Sequence, residues 1–181
     1  MSTITTFSGI SFAPVTPDID KIKIEDIAHS LSLLCRANGH FIRFFSVAQH
    51  AINCTKEAAA RGYSTRVQLA CLLHDASESY MSDVTRPVKK LLPIYVEIEE
   101  NLQNAIYAKF LGSALAEDEN MQMREIDDDM LESEFVVLLP KREIRRIVSL
   151  KTNPTYEFEN FDKVESEFLQ LFHEIVAKIG R

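Results

Sequence analysis

Apolar residues recur every three or four positions through most of the chain, and that spacing predicts helices. IEDIAHSLSLLC, from Ile24 to Cys35, is the first, and RANGH after it reads as a turn. A second helix is predicted from about Arg43 to Arg61, closing on Gly62 as a C-terminal stop. Thr65 and Gln68 have the spacing of a capping box for a third helix running to about Met81. VTRP ends it, since Pro87 disfavours helix at Arg86. PIYVEIEENLQNAIYAKFLG opens on Pro93 and makes a long amphipathic helix. Another covers about Glu119 to Leu138 and stops at Pro140, and DKVESEFLQLFHEIVAKI makes the last. Between these two, REIRRIVSL is compatible with helix and TNPTYEFEN reads as loop. Residues 1–20, rich in Thr, Ser and Pro with alternating apolar positions, read as an extended arm or a short hairpin. The expectation is an all-α fold: one helical-bundle domain over residues 21–181 behind a short extended N-terminal arm over 1–20.

Composition narrows this picture only a little. A chain of 181 residues suits one domain with a substantial core. A net charge of −7 argues against stable, sequence-independent binding to nucleic acid, which needs a basic surface. It leaves a small anionic substrate open, because a local cation can override the global charge. Cys35, Cys54 and Cys71 each sit among apolar neighbours and read as buried free thiols of a reducing compartment. MSTITTFSGISFAP has no basic start followed by a long apolar run, and no segment approaches the ~18 consecutive apolar residues of a membrane span. A cytoplasmic protein with no membrane contact is expected.

The candidate chemistry lies in polar residues on apolar stripes. Val67, Ala70, Cys71, His74, Glu78 and Met81 follow steps of three or four residues, so His74 and Glu78 share a mostly buried face. Asp75 sits about 100° round from His74, and an ion between those directions could be reached by both. In the second helix His50 lies among Phe44, Val47, Ala48, Ala51 and Cys54, with Arg43 two turns earlier. Met123, Asp127, Met130 and Glu134 form a similar row. A lone buried histidine is more often a hydrogen-bonded core residue than a ligand, and acidic triplets such as Asp127–Asp129 usually face solvent. The coincidence of several such residues in one small chain is what favours a metal site. Two imidazoles and two carboxylates, His50, His74, Asp75 and Asp127, would suit a divalent cation (Mn, Co, Ni, Fe, Zn or Mg) with positions left open for water or substrate.

The assembled blocks, His50 in SVAQHA, His74-Asp75 in LLHDASE and the aspartates of REIDDDMLESE, resemble the HD superfamily of metal-dependent phosphohydrolases. The likeness covers roughly residues 10–140. It is strongest to bacterial 5′-deoxynucleotidase-like proteins, especially a YfdR-like group linked to phages and prophages. The resemblance implies an HD-domain helical bundle and metal ligation by His50, His74, Asp75 and Asp127, with Asp128 as the alternative last ligand. It implies that Glu78 handles the attacking water and that Asp83 contacts the substrate or leaving group. It also implies that an arginine, Arg36 or Arg43, approaches the phosphate, and His40 matches as a further substrate-binding candidate. Thr85, Pro87 and Lys89 match the block's ending, with Arg86 inserted as a departure. Ser79 stands where guanosine tetraphosphate hydrolases carry an acid, which lowers that reading. The function expected is a divalent-metal phosphohydrolase releasing phosphate from nucleotides, a deoxyribonucleoside 5′-monophosphatase in kind. Its partner would be a small nucleotide, and homodimers are frequent in the family. The alternative is a catalytically silent metal- and nucleotide-binding module that regulates a partner.

Overall fold

The N-terminal arm closes as a small hairpin in which β1 (Ile4–Thr5) and β2 (Ser11–Phe12) pair antiparallel, Ile4 opposite Phe12. It is tied to the body by fully buried Phe12 and by Ser8, whose backbone N–H and hydroxyl both donate to the Asp26 carboxylate. The structure is a computed structural model that describes residues 2–144 and 146–179. The remaining elements are helices: two short 3₁₀ turns, Ile19–Lys21 and Arg36–Gly39, and α1 (Ile24–Leu33), α2 (Val47–Ala60), α3 (Thr65–Leu73), the one-turn α4 (Glu78–Met81) and α5 (Arg86–Lys89), α6 (Pro93–Leu111), α7 (Glu117–Leu138) and α8 (Phe161–Ile179). The all-α expectation holds, and no helix among the described residues is long and apolar enough to cross a membrane.

Helix α2 is the axis of the bundle and packs against α1, α3, α7 and α8. Its small residues Ala48 and Ala51 let Ile27, Leu31, Leu72 and Phe168 close over it in one cluster. A second cluster, with Cys54, Ala58, Ala70, Cys71, Ile126 and Met130, fills the seam between α2, α3 and α7. Each fully buried aliphatic side chain of this kind stabilises by roughly 1.5–3 kcal/mol.

Several boundaries differ from the sequence expectation, for local reasons. Helix α2 begins at Val47 and not near Arg43, because Ser46 and Gln49 form a reciprocal capping box and the chain before it is extended, bridging Ser46 to Cys35. Phe44 therefore precedes the helix and packs its ring edge-to-face with Phe158 and Phe161. The stop at Gly62 forms as expected: with φ at +78°, Gly62 lets the Tyr63 and Gly62 N–H groups reach the Ala58 and Ala59 carbonyls. Ser64, not Thr65, caps α3, and the Gln68 amide reaches back to the Tyr63 carbonyl. Arg86 is helical after all, opening α5 with Pro87 in the first turn, where a missing N–H costs nothing. Cys35 is exposed, unlike the buried Cys54 and Cys71.

No helix forms among the described residues of 139–160, and Arg145 of REIRRIVSL lies outside them, as do Met1, Gly180 and Arg181 at the ends of the expected arm and domain. This long loop is laced to α2 by a buried polar stripe at i, i+4 and i+8. Gln49 and Asn53 donate to the Glu157 and Thr155 carbonyls, and Glu57 accepts from the backbone of Lys151 and Thr152. The loop's polar backbone is thus paired without secondary structure of its own.

Candidate metal centre

Three elements bring their polar residues to one point in the α2–α3–α7 seam. His50, one turn inside α2, is fully buried. His74 and Asp75 come from the turn that follows α3, and Asp127 from the middle of α7. The third helix does not run on to Met81. It breaks over residues 74–77, where bonds of the i→i+3 kind replace the α-helical ladder: Ala76 N–H to Leu73 O and Glu78 N–H to Asp75 O, both 3.0 Å. The continuous stripe expected through His74 and Glu78 is therefore interrupted, with His74 inside the break and Glu78 opening α4 after it.

The imidazole tautomers follow from their partners. His74 Nδ1 lies 2.8 Å from the Cys71 carbonyl oxygen, which can only accept, so Nδ1–H donates. His50 Nδ1 lies 2.6 Å from Glu134 Oε1 and donates likewise. Both Nε2 lone pairs are left facing each other at 3.1 Å. Asp127 Oδ1 lies 3.1 Å from His50 Nε2 and 3.6 Å from His74 Nε2, and Asp75 Oδ2 lies 3.3 Å from His74 Nε2. Four lone-pair donors pointed at one another repel until a cation sits among them. These spacings match the roughly 3.0–3.4 Å edges of a tetrahedron or octahedron whose arms are about 2.1 Å, the usual metal–nitrogen distance. Without a metal, a proton plays that part. Burial pulls the His74 imidazolium down, but the Asp75 and Asp127 carboxylates outweigh it and push His74 up to about 9. Burial raises Asp127, but its hydrogen bonds to His50 and His74 win and hold it well below the usual carboxylate range.

His50, Cys54 and His74 also place ligand atoms within 4.8 Å of one another, and this cluster could hold a metal ion. The thiol lies 3.4 Å from His50 Nε2 and 3.9 Å from Nδ1, so it flanks the ring and does not stand ahead of Nε2. Burial first, then the Asp127 charge, raises the Cys54 thiol well above its ordinary value and disfavours the thiolate. Asp127 and Asp75 are the better-aimed donors beside the two histidines. Asp128 is exposed, and its Oδ1 lies 3.5 Å from Arg86 Nη2.

Glu134 and Arg36 brace this centre from behind. Glu134 is fully buried and joins His50 Nδ1 to Arg36 Nε at 3.1 Å, while Arg36 Nη1 donates to Asp75 Oδ2 at 3.2 Å. Burial opposes the Arg36 charge, but Glu134 and Asp75 hold the guanidinium firmly protonated. Of the two arginine candidates, Arg36 is at the centre with two of its nitrogens already engaged by carboxylates. Arg43 is paired with Glu157 on the surface. His40 is exposed, and among the described residues its ring has no hydrogen bond or ion pair. Glu134 stood in the Met123–Asp127–Met130 row but had no assigned role, and its i+7 spacing from Asp127 was the available signal.

A cavity of about 440 Å³ opens beside the centre and is lined by His74, Asp75, Glu78, Lys89, Gln103 and Tyr107 among others. Glu78 is 8% exposed and carries no neutralising partner at hydrogen-bond distance. Burial first, then the Asp75 and Asp83 charges, pushes its carboxyl up to about 9. Asp83 is exposed, 3.8 Å from Lys89 Nζ, and Lys89 is paired more closely with Glu99 at 2.8 Å. Lys89 thus belongs to the cavity wall, whereas Lys90 is exposed. Arg86 Nη2, on a largely exposed side chain, lies 3.7 Å from Asp127 Oδ2, too far for a hydrogen bond.

No family model matches the chain. It is 42% identical over 110 residues to the uncharacterized protein YfdR of Escherichia coli K12, an alignment that covers 61% of this chain and 59% of that one. It is 40% identical over 109 residues to an uncharacterized protein of Rhodobacter capsulatus, covering 57% of this chain and 55% of the relative. The chain thus spans less than two thirds of the length of these curated relatives.

Proposed function

We propose that this chain is a divalent-metal-dependent phosphohydrolase of the HD superfamily that releases phosphate from nucleotides, a deoxyribonucleoside 5′-monophosphatase in kind. The observation that carries the reading is the convergence of His50 Nε2, His74 Nε2 and the Asp75 and Asp127 carboxylates beside a cavity that Glu78 also lines. The donor set fits a divalent cation: two neutral imidazoles oriented from behind and two carboxylates, with the cavity side free of protein ligands. Bound there, such a cation supplies Lewis acidity toward a phosphoryl oxygen and acidifies water. Glu78, at the cavity wall, would take the proton of the attacking water in its ionised form, which the charge of a bound cation would favour over the protonated form that burial favours without one. The water oxygen bonds to phosphorus, the phosphorus–ester oxygen bond breaks, and the departing alcohol oxygen takes a proton from solvent. Arg36 keeps Asp75 aimed, and Lys89 on the cavity wall and Arg86 beside Asp127 supply cations for the phosphate. Asp83, beside Lys89, keeps the leaving-group side assigned by the resemblance.

The test is metal analysis of the purified protein, followed by a phosphate-release screen across deoxy- and ribonucleoside 5′-monophosphates with each cation. About one ion per chain is expected, with release that stops on chelation and returns on adding metal. Release that survives chelation overturns the reading. Bound metal and nucleotide without turnover across the panel would replace it with the silent module.

Glu78→Gln is expected to lower phosphate release by about 10²–10⁴-fold, the usual worth of a positioned acid–base group. The same variant has an opposite effect on stability. The folded carboxyl keeps its proton up to about pH 9, whereas the unfolded chain releases it near its ordinary value. Between those values the folded state binds more protons, so stability falls as pH rises. Metal-free Glu78→Gln should therefore melt above the parent in thermal scans at about pH 8, with the gap closing toward about pH 4–5.

A further inference from the structure

The break between α3 and α4 has a cause in a third helix. In a continuous α-helix the Ser77 N–H would donate to the Leu73 carbonyl, four residues back. Here the side-chain amide of Gln103, from the middle of α6, occupies that bond. Its Oε1 accepts from Ser77 N–H at 3.1 Å, and its Nε2 donates to Leu73 O at 2.7 Å. Tyr107, one turn further along α6, lines the cavity beside it. A side chain inserted into the i→i−4 ladder is a known origin of a helix kink. The residues enclosed by the break are His74, Asp75 and Ala76.

The opening matters because it falls on the two residues that α3 carries to the centre. With the ladder interrupted, the Cys71 carbonyl accepts from His74 Nδ1 at 2.8 Å, and the ring so held turns its Nε2 to within 3.3 Å of Asp75 Oδ2.

We infer that Gln103 is a positioning residue for the metal centre: its amide wedges open the α3–α4 junction and thereby aims His74 and Asp75 at the same point as His50 and Asp127. The inference rests on the proposed metal site but not on any turnover there. Only a side chain with both an acceptor and a donor at this length can split the bond cleanly. A glutamate side chain in the same place would accept from Ser77 N–H but could not, when ionised, donate to Leu73 O. Methionine of similar length could do neither, and would let the ladder close.

The experiment compares the parent with Gln103→Met and Gln103→Glu by metal titration, by thermal melting without metal, and by amide hydrogen exchange at Ser77. Gln103→Met is expected to bind metal about 10–100-fold more weakly, the usual loss when a ligand's supporting shell is removed. Its metal-free melting temperature should be unchanged or higher, because the helix regains its own bond, and Ser77 should stay protected. Gln103→Glu should lose metal affinity with Ser77 likewise protected, and it serves if the methionine variant fails to fold. Parent-like metal affinity in a folded variant overturns the inference, and so does a loss of affinity that merely tracks lost thermal stability. A parent that binds metal but releases no phosphate sinks the proposed function and leaves this inference standing. A parent that binds no metal sinks both.

Discussion

Asp127→Ala and His50→Ala are each expected to yield folded protein that keeps no metal after dialysis and releases phosphate no faster than the no-enzyme control. Asp127 Oδ1 stands within 3.6 Å of both imidazole Nε2 atoms, and His50 brings its Nε2 to 3.1 Å from that of His74. Removing either leaves too few ligands at the spacing a single ion requires. Cys54→Ala supplies the contrast: its thiol flanks the His50 ring, so that variant should keep its metal. Asp128→Asn should keep it too, since Asp128 faces Arg86 at the surface. Metal content and phosphate release measured on the same four variants decide the matter. Retention of metal by Asp127→Ala together with its loss in Cys54→Ala would move the site to His50, Cys54 and His74.

Glu134→Ala should produce the largest loss of stability of any single polar substitution at the centre, about 3–5 kcal/mol, as for other broken buried ion pairs. The carboxylate is fully buried and bonded on one side to His50 Nδ1 and on the other to Arg36 Nε. Its removal leaves the Arg36 guanidinium with Asp75 alone and frees the imidazole to rotate or change tautomer. Glu134→Gln loses the charge and keeps an acceptor for only one of the two donors, turning its amide NH2 toward the other. It should fold with a smaller penalty yet bind metal about 10–100-fold more weakly, because the His50 ring is less firmly held and less basic. Urea unfolding and metal titration separate the two effects. Arg43→Ala is the control: its pair with Glu157 is solvent-exposed, and such pairs contribute about 0–1 kcal/mol. A Glu134→Ala protein as stable as Arg43→Ala would show that Arg36 and His50 find other partners.

Much of the helical layout was legible in the sequence because helix formation is a local matter. Pro93 opening α6, Gly62 closing α2 and Pro140 following α7 act through their own backbone geometry, and apolar spacing shows which faces turn inward. The misplaced boundaries are set by caps: Ser46 starts α2 short of the expected Arg43, and Ser64 takes the cap expected of Thr65. Before α2 the strand-like pairing of Ser46 with Cys35 keeps the chain extended. Cys35 has the apolar neighbours of a buried thiol but falls just past the end of α1, where the chain turns outward.

At the candidate site the division is similar. His50, His74, Asp75 and Asp127 stood out as polar residues on apolar stripes, a local anomaly that burial makes costly. The support around them left no such trace. Glu134 looked like one more acid on an acidic helix, Arg36 entered only through the resemblance and as a phosphate contact, and Gln103 looked like any polar residue of α6. Each is defined by a partner 98, 39 or 26 residues away in sequence.

By itself, then, the sequence determined that this chain is helical, where most helices start and stop, and which polar side chains on apolar stripes are candidates for a site, since all of these follow from residues a few positions apart. Only the tertiary structure decided that α3 breaks over residues 74–77, that Asp127 and not Asp128 faces the imidazoles, and that Arg36 and Glu134 brace the centre from behind. Those outcomes depend on contacts between distant segments, whose geometry is set when α2, α3, α6 and α7 bury one another's faces, and no local propensity encodes it.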